Sequence, residues 1–449
     1  MGQGLGRPLC APHLLTPLLL PLLVLGCTDR RASRDSAAEA SVDDAGTDTV
    51  PDAPGSETHA AVSLDAHVGL SSGASCDASA ACRSGSCVFG TCSDWAYAMR
   101  ITIDTTPAGA DLRQAVTDFP LLVRLRTPSF DFRQASANGA DVRFMDESGR
   151  TLGHQTERWD ARDGVAEIWV SVPRIEPDRR DNVVLMSWGN PLAASLSSGP
   201  SVFSDLECTL HMDAASDGIA GNLEDASGKQ HFGRMPNVSP SLPAGSLQPA
   251  GIAGGGLDLD GSKDYVMLNG TSQSPQRFAV SLWLKTISSQ PASIAVFSSL
   301  LASGGIDRRI HMDGAGHLSF DVLYANATLL TVSSLTGYHD GAWHHVVARA
   351  GEKGQFLFVD GEPIADNSSQ SGSTNNTGRW YFGAKPPPTN SPAAALPTSG
   401  FAGTLDEIRL VVDHEPSDDW IKLSYATQRP DAGVISYQAP PSQEDPPIP

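Results

Sequence analysis

Basic residues are scarce in this chain: 31 Lys and Arg stand against 51 Asp and Glu, a formal charge of −20 over 449 residues. Phosphate binding needs a basic stripe, and none is visible, which excludes nucleic acid as a partner. The same shortage excludes adhesion of the protein surface to anionic lipid headgroups. Long apolar runs are missing beyond Leu25, so no later segment approaches the ~20 residues of a spanning helix. The signatures H-E-x-x-H and G-x-x-x-x-G-K-[ST] are absent as well, which removes two common routes to catalysis. Aromatic residues make up only 6%.

What is abundant is Gly (43) and Pro (32), with 40% apolar residues. That mixture suits many short strands joined by tight turns, and the length calls for two or three domains. The N-terminus begins with Arg7 and a leucine-rich run from Leu14 to Leu25, closed by Val24-Leu25-Gly26-Cys27. This tetrapeptide resembles a bacterial lipobox, with residues 1–26 a signal peptide and Cys27 the lipidated N-terminus of an exported chain. An ordinary secretory signal is the alternative, and both readings export the protein. The lipid would be its only membrane anchor, at the bacterial cell envelope, on the outer membrane or cell surface.

Residues 27–75 are rich in Ala, Ser, Asp, Gly and Thr, too polar to offset their ordering entropy, and are expected to form a disordered acidic linker. Cys76, Cys82, Cys87 and Cys92 then cluster at C-x5-C-x4-C-x4-C spacing. After an export signal this favours a small disulfide module over residues 76–94; zinc is the rival, without the C-x2-C knuckles usual for it. Cys208 is left as a buried small hydrophobe.

From 95 to 205 the chain reads as a β domain. Leu121, Val123 and Leu125 alternate with Leu122, Arg124 and Arg126, and Ile168, Val170 and Val172 alternate with Trp169 and Ser171. Residues 206–428 continue in the same manner through Leu318, Phe320 and Val322, the run Phe356 to Val359 and its Asp360-Gly361 turn, and Ile408, Leu410 and Val412. Two packed antiparallel sheets are expected, with a helical turn or two over Asp418 to Tyr425. The Pro-rich tail 429–449 is not expected to pack.

Two passages resemble known families. Residues 206–428 are similar to laminin-G-like, concanavalin A-like jelly rolls, through Gly255 to Val266, Val280-Ser281-Leu282-Trp283-Leu284, Gly341 to Val347, Phe358-Val359-Asp360-Gly361 and Phe401 to Arg409. Residues 95–204 resemble an uncharacterised family often found before such jelly rolls, through Asp118 to Val123, Gly139 to Phe144, Glu167 to Val170 and Trp188-Gly189-Asn190. The fold class expected is therefore all-β: a jelly-roll sandwich at the C-terminus, preceded by a second all-β domain and the disulfide module. The resemblance implies a surface binding protein whose ligand is a glycan or an extracellular protein.

Glycosidases of this fold carry two carboxylates on one strand as E-x-D-x-(x)-E. Here Asp406 and Glu407 are adjacent, and strict alternation would send them to opposite faces, so no enzyme is expected. One structural calcium ion is expected instead, held by Asp260, Asp264 and Asp406, the last placed there by analogy with related jelly rolls. The competing reading is that Asp260-Gly261 is a plain turn capped by its carboxylates. Neighbours on one strand, His344 and His345 cannot share an ion. Trp380 and Tyr381, after a polar loop, are candidates to stack on a sugar face, with core burial the competing role.

Overall fold

The structure is a computed structural model; it describes residues 74–75, 87–88, 91–213, 222–236, 250–299, 305–324, 328–368, 373–384 and 399–438. Cys27, Cys76, Cys82 and almost all of the segment 27–75 lie outside the described residues. Cys87 and Cys92 face each other across a two-stranded ladder, and both are disulfide-bonded. No helix among the described residues is long and apolar enough to cross a membrane.

The first β domain pairs two sheets. One runs Tyr97–Ile103, Asn182–Trp188, Arg143–Met145; the other runs Val116–Arg126, Val165–Ile175, His154–Asp160. Leu121, Val123, Leu125, Ile168 and Val170 fill the space between them with Phe119, Phe144 and Met186. The period-2 pattern thus sets the inner face, as the alternation predicts. The second domain is a jelly roll of two larger sheets. Its seven-stranded sheet is built around Phe278–Lys285, Trp343–Gly351, Gly354–Val359 and Ala402–Val412, and its ten-stranded sheet around Ala292–Ser299, Gly305–Met312, His317–Leu323 and Thr377–Phe382. Phe278, Leu282, Phe297, Phe320, Leu357, Phe382 and Leu405 are core members.

A third apolar cluster joins the domains. Leu122 and Trp169, on the outer face of the first domain's smaller sheet, pack with Phe203, Ala279, Val347, Phe358, Val411 and Ile421. That sheet therefore buries apolar side chains on both faces. Fully burying a side chain such as Leu122 contributes about 1.5–3 kcal/mol, so the two domains share substantial stabilisation.

The C-terminal segment reinforces this junction and corrects the expectation of an unpacked tail. The helix is longer than expected, Asp418–Gln428; the Ser417 side chain caps it by accepting from Trp420 N–H at 3.1 Å, and Asp418 and Asp419 occupy its first turn. Its Leu423 and Ala426 enter the first domain's core while Ile421 enters the junction cluster. The chain then returns to the first domain, where Ile435–Gln438 pairs antiparallel with Tyr97–Ile103. Tyr437 accepts a bond from Arg124 N–H at 3.0 Å. Residues 429–438 thus belong to the folded body.

Candidate functional site

Two β-bulges face each other across the junction. In Ala402–Val412, Ser281 opposes Arg409 and Trp283 opposes Asp406, so two residues of this strand stand opposite Leu282 alone. Leu405, Ile408 and Leu410 lie in the jelly-roll core, which leaves both Asp406 and Glu407 on the outer face. Glu407 adopts φ 48°, the left-handed geometry that the extra residue requires. Strict alternation fails here, and the expectation that these carboxylates diverge is corrected. In the first domain the register likewise slips between Thr156 and Arg158, leaving Glu157 as the extra residue.

These bulges bring together groups from distant stretches. His211 Nδ1 lies 2.7 Å from Glu407 Oε1 and 3.4 Å from Glu157 Oε2, and its Nε2 lies 3.2 Å from Gln155 Oε1. Arg409 donates to Glu407 Oε2 at 2.7 Å, with its guanidinium 4.4 Å above the Trp169 ring. Trp169 in turn donates its indole N–H to Glu157 Oε2. The Gly-rich loop 251–256 closes the floor. Ile252 N–H donates to Asp406 Oδ2 at 2.6 Å, Gly254 N–H to Glu167 Oε2 at 2.8 Å, and Gly255 N–H to Asp213 Oδ1 at 2.8 Å. Gly254 is required: a Cβ there would fall 2.5 Å from Glu157 Oε1 and 2.7 Å from Asp213 Oδ2.

Burial raises the Glu157 carboxyl well above its ordinary value, and the charges of Glu407, Asp213 and Asp406 push it further. Asp213 rises to about 6, chiefly by burial. Asp406 is also raised, by burial and then by Glu407. Burial works on Glu407 in the same direction, but His211 and Arg409 overcome it and hold this carboxyl below its ordinary value. Within one site, then, the Glu157 and Glu407 carboxyls are pushed in opposite directions. It opens on a cavity of about 530 Å³ lined by Gln155, Thr156, Glu157, His211, Asp213 and Gln230, with Phe232 at its edge.

The calcium trio is not assembled. Asp260 Oδ1 accepts from the N–H groups of Ser262, Lys263 and Asp264 at 2.8–3.0 Å, as a turn cap does. Asp260 pairs with Ala402, four residues from Asp406 along the strand, which is roughly 13 Å at ~3.3 Å per residue. Trp380 is a core residue, stacked at 6.3 Å from Phe382 and edge-on to Phe297. Tyr381 lies on the other face beside Tyr265, ring centroids 6.2 Å apart. His344 bonds to Asp360 and Asp340, whereas His345 bonds to Ser281 and is buried against Trp283. Cys208 is free and buried. Sequence reasoning missed Glu157, His211 and Asp213, because His211 and Glu407 are 196 residues apart and no spacing connects them.

The comparisons with known proteins agree with the fold. Residues 260–422 match the profile of the concanavalin A-like lectin/glucanases superfamily, and residues 138–216 that of a domain of unknown function, DUF2341. No protein of curated function matches. Among solved structures, the botulinum neurotoxin type G receptor binding domain is similar at 12% identity, over 50% of this chain and 51% of that one, with a TM-score of 0.35. The Trypanosoma rangeli sialidase in complex with sialic acid is similar at 12%, over 61% and 44%, with a TM-score of 0.35. Domain 4 of AbnA, a GH43 extracellular arabinanase from Geobacillus stearothermophilus, in complex with arabinotriose, is similar at 14%, over 49% and 97%, with a TM-score of 0.34. The chain spans about half the length of the first of these, and likeness of this degree fixes neither a site nor an activity. Glu157, His211 and Asp213 fall in the 138–216 match and Glu407 in the other. The chain carries a concanavalin A-like lectin/glucanase domain over residues 260–422, preceded by a DUF2341 domain over residues 138–216.

Proposed function

We propose that this protein is an exported, non-enzymatic binding protein, anchored at the bacterial cell envelope through lipid on Cys27, that takes a hydroxyl-rich glycan in the junction cavity. The observation that carries this reading is the cavity itself. At about 530 Å³ it falls within the size of small-ligand pockets. Its lining combines planar acceptors and amides (Gln155, Glu157, Asp213, Gln230) with His211 and the Phe232 ring, which is 42% exposed. Hydroxyl groups can donate to such acceptors while a sugar's apolar face meets the ring. The surplus of carboxylates disfavours anionic ligands, so a neutral or cationic glycan is the favoured class. A protein ligand and a structural role in the envelope remain the competing assignments.

One observation favours a second reading, an atypical carbohydrate-active enzyme: Glu157 and Glu407 sit close with their proton affinities pushed apart. It ranks second because Glu407 is 1% exposed at its side chain and already engaged by both His211 and Arg409. A glycan array with the whole chain tests the first reading. Binding that is lost in Gln155→Ala together with Gln230→Ala supports it; no glycan retained, or retention indifferent to both changes, overturns it. Reducing ends released from a polysaccharide panel, and abolished by Glu157→Gln, would establish the second.

A further inference from the structure

The junction cluster has the composition of a metal centre rather than of an ordinary ion pair. We propose that Glu157, His211 and Glu407, with Asp213 beside them, form a site for one divalent transition-metal ion, zinc foremost, linking the two domains at the cavity floor. Glu157, His211 and Glu407 each offer a ligand atom, and these atoms all lie within 4.8 Å of one another. Ligands held ~2.0–2.1 Å from a tetrahedral zinc ion are about 3.3 Å apart. The His211–Glu157 separation of 3.4 Å already fits, and the 2.7 Å His211–Glu407 contact must open by only about half an ångström.

Each of the three is also oriented from behind. When His211 binds through Nδ1, its Nε2–H donates to Gln155 Oε1; Arg409 holds Glu407 by Oε2 and leaves Oε1 forward; Trp169 donates to Glu157 Oε2, the oxygen 3.4 Å from His211 Nδ1, and so orients that carboxyl. Outer partners of this kind fix tautomer and orientation in metal sites. An independent sign of a missing partner is Glu157 Oε1. Its side chain is only 2% exposed, and this oxygen has no hydrogen-bond partner among the described residues. It lies within about 5.2 Å of Asp213 Oδ2, both being aimed at the same point above Gly254. An orphaned buried carboxylate oxygen is rare and needs an explanation.

The surrounding charges single out the same spot. Glu407 has Arg409, Glu167 has Arg124 and Arg126 at 4.0 and 3.8 Å, and Asp406 has backbone amides. Glu157 and Asp213 have no arginine or lysine partner among the described residues. One imidazole with carboxylates suits zinc or manganese better than calcium, which takes six to eight oxygens. The inference stands whether or not a glycan occupies the cavity.

The test is equilibrium dialysis of the full chain, first stripped with chelator, against zinc, manganese and calcium chlorides. One zinc equivalent is expected, bound at least about tenfold more weakly by Glu157→Gln and by Asp213→Asn and unchanged in Asp260→Asn. Cobalt(II) in place of zinc should give the visible spectrum of a nitrogen- and oxygen-ligated ion. Zinc uptake that is absent, or equal in wild type and Glu157→Gln, overturns the site. So does a cobalt spectrum dominated by thiolate bands, which would place the ion on the cysteines. Glu157→Gln retains the volume of the side chain, and its thermal melt without metal checks that it folds.

Discussion

Two acidic regions of this molecule behave in opposite ways. Asp258, Asp260 and Asp264 crowd one stretch of sequence, yet they sit at the surface around a turn, and Asp260 is satisfied by three backbone amides. Slight burial opposes the effect, but those amides hold the Asp260 carboxyl below its ordinary value. Glu157, Asp213 and Glu407 come from three separated stretches and meet in the seam between two domains, where burial is the largest influence on each and two of the three are raised. Crowding in sequence leaves charges solvated; crowding in space removes their water, and only the second makes them choose between a proton, a cation and repulsion.

The largest break in this contrast should come from Arg409→Met. It removes the arginine from the buried Glu407 and leaves only His211 beside that carboxylate, and denaturant unfolding should show a loss of about 3–5 kcal/mol. The matching change at the surface, Lys263→Met beside Asp260, should stay within about 0.5 kcal/mol. If the two variants melted alike, the buried cluster would not differ energetically from the turn.

The pH dependence sharpens the same contrast, because the two regions carry opposite signs. Asp213 has a folded value near 6, above its unfolded value near 4. The native state therefore holds the extra proton, and the stability this group contributes is full below about pH 4 and lost as pH rises through 6. Urea melts between pH 4 and 7 should show this decline, and Asp213→Asn should flatten it by on the order of 2 kcal/mol. Asp260, held low, contributes stability that is present above about pH 4 and lost on acidification. A smaller effect belongs to that turn: Asp260→Ala should lower stability by about 0.5–1.5 kcal/mol, by removing acceptor bonds to amides that water can replace. A loss as large as that of Arg409→Met would mean that the turn is a buried site after all.

Much of the fold was legible. Alternation in Leu121 to Arg126 and in Ile168 to Val172 placed the inner residues correctly, since a strand's side-chain period is fixed by its backbone. Legibility failed wherever a second surface intervened. Leu122 and Trp169 occupy the alternate positions of those strands, and only the docked jelly roll shows why they are apolar. Trp380 was a candidate for sugar stacking, but its neighbours in space, Phe297 and Phe382, make it core. The strand Ile435–Gln438 was hidden because four residues amid a Pro-rich tail carry too little periodicity to register. The site was the least legible part. A bulge adds one residue without any composition signature, so the strand pattern sent Asp406 and Glu407 to opposite faces when the register slip sends them to one.

The amino-acid order alone determined the all-β class, the acidic balance and the inner faces of the main strands, because these follow from local backbone periodicity and summed composition; the jelly roll and the domain before it were legible only through family resemblance. The tertiary structure alone decided that the C-terminal helix and strand lock the two domains together. It also decided that Glu157, His211 and Glu407 meet, and that the two glutamate carboxyls depart from ordinary behaviour. Local rules act over a few residues, whereas desolvation and charge coupling depend on which distant surfaces exclude water from each other.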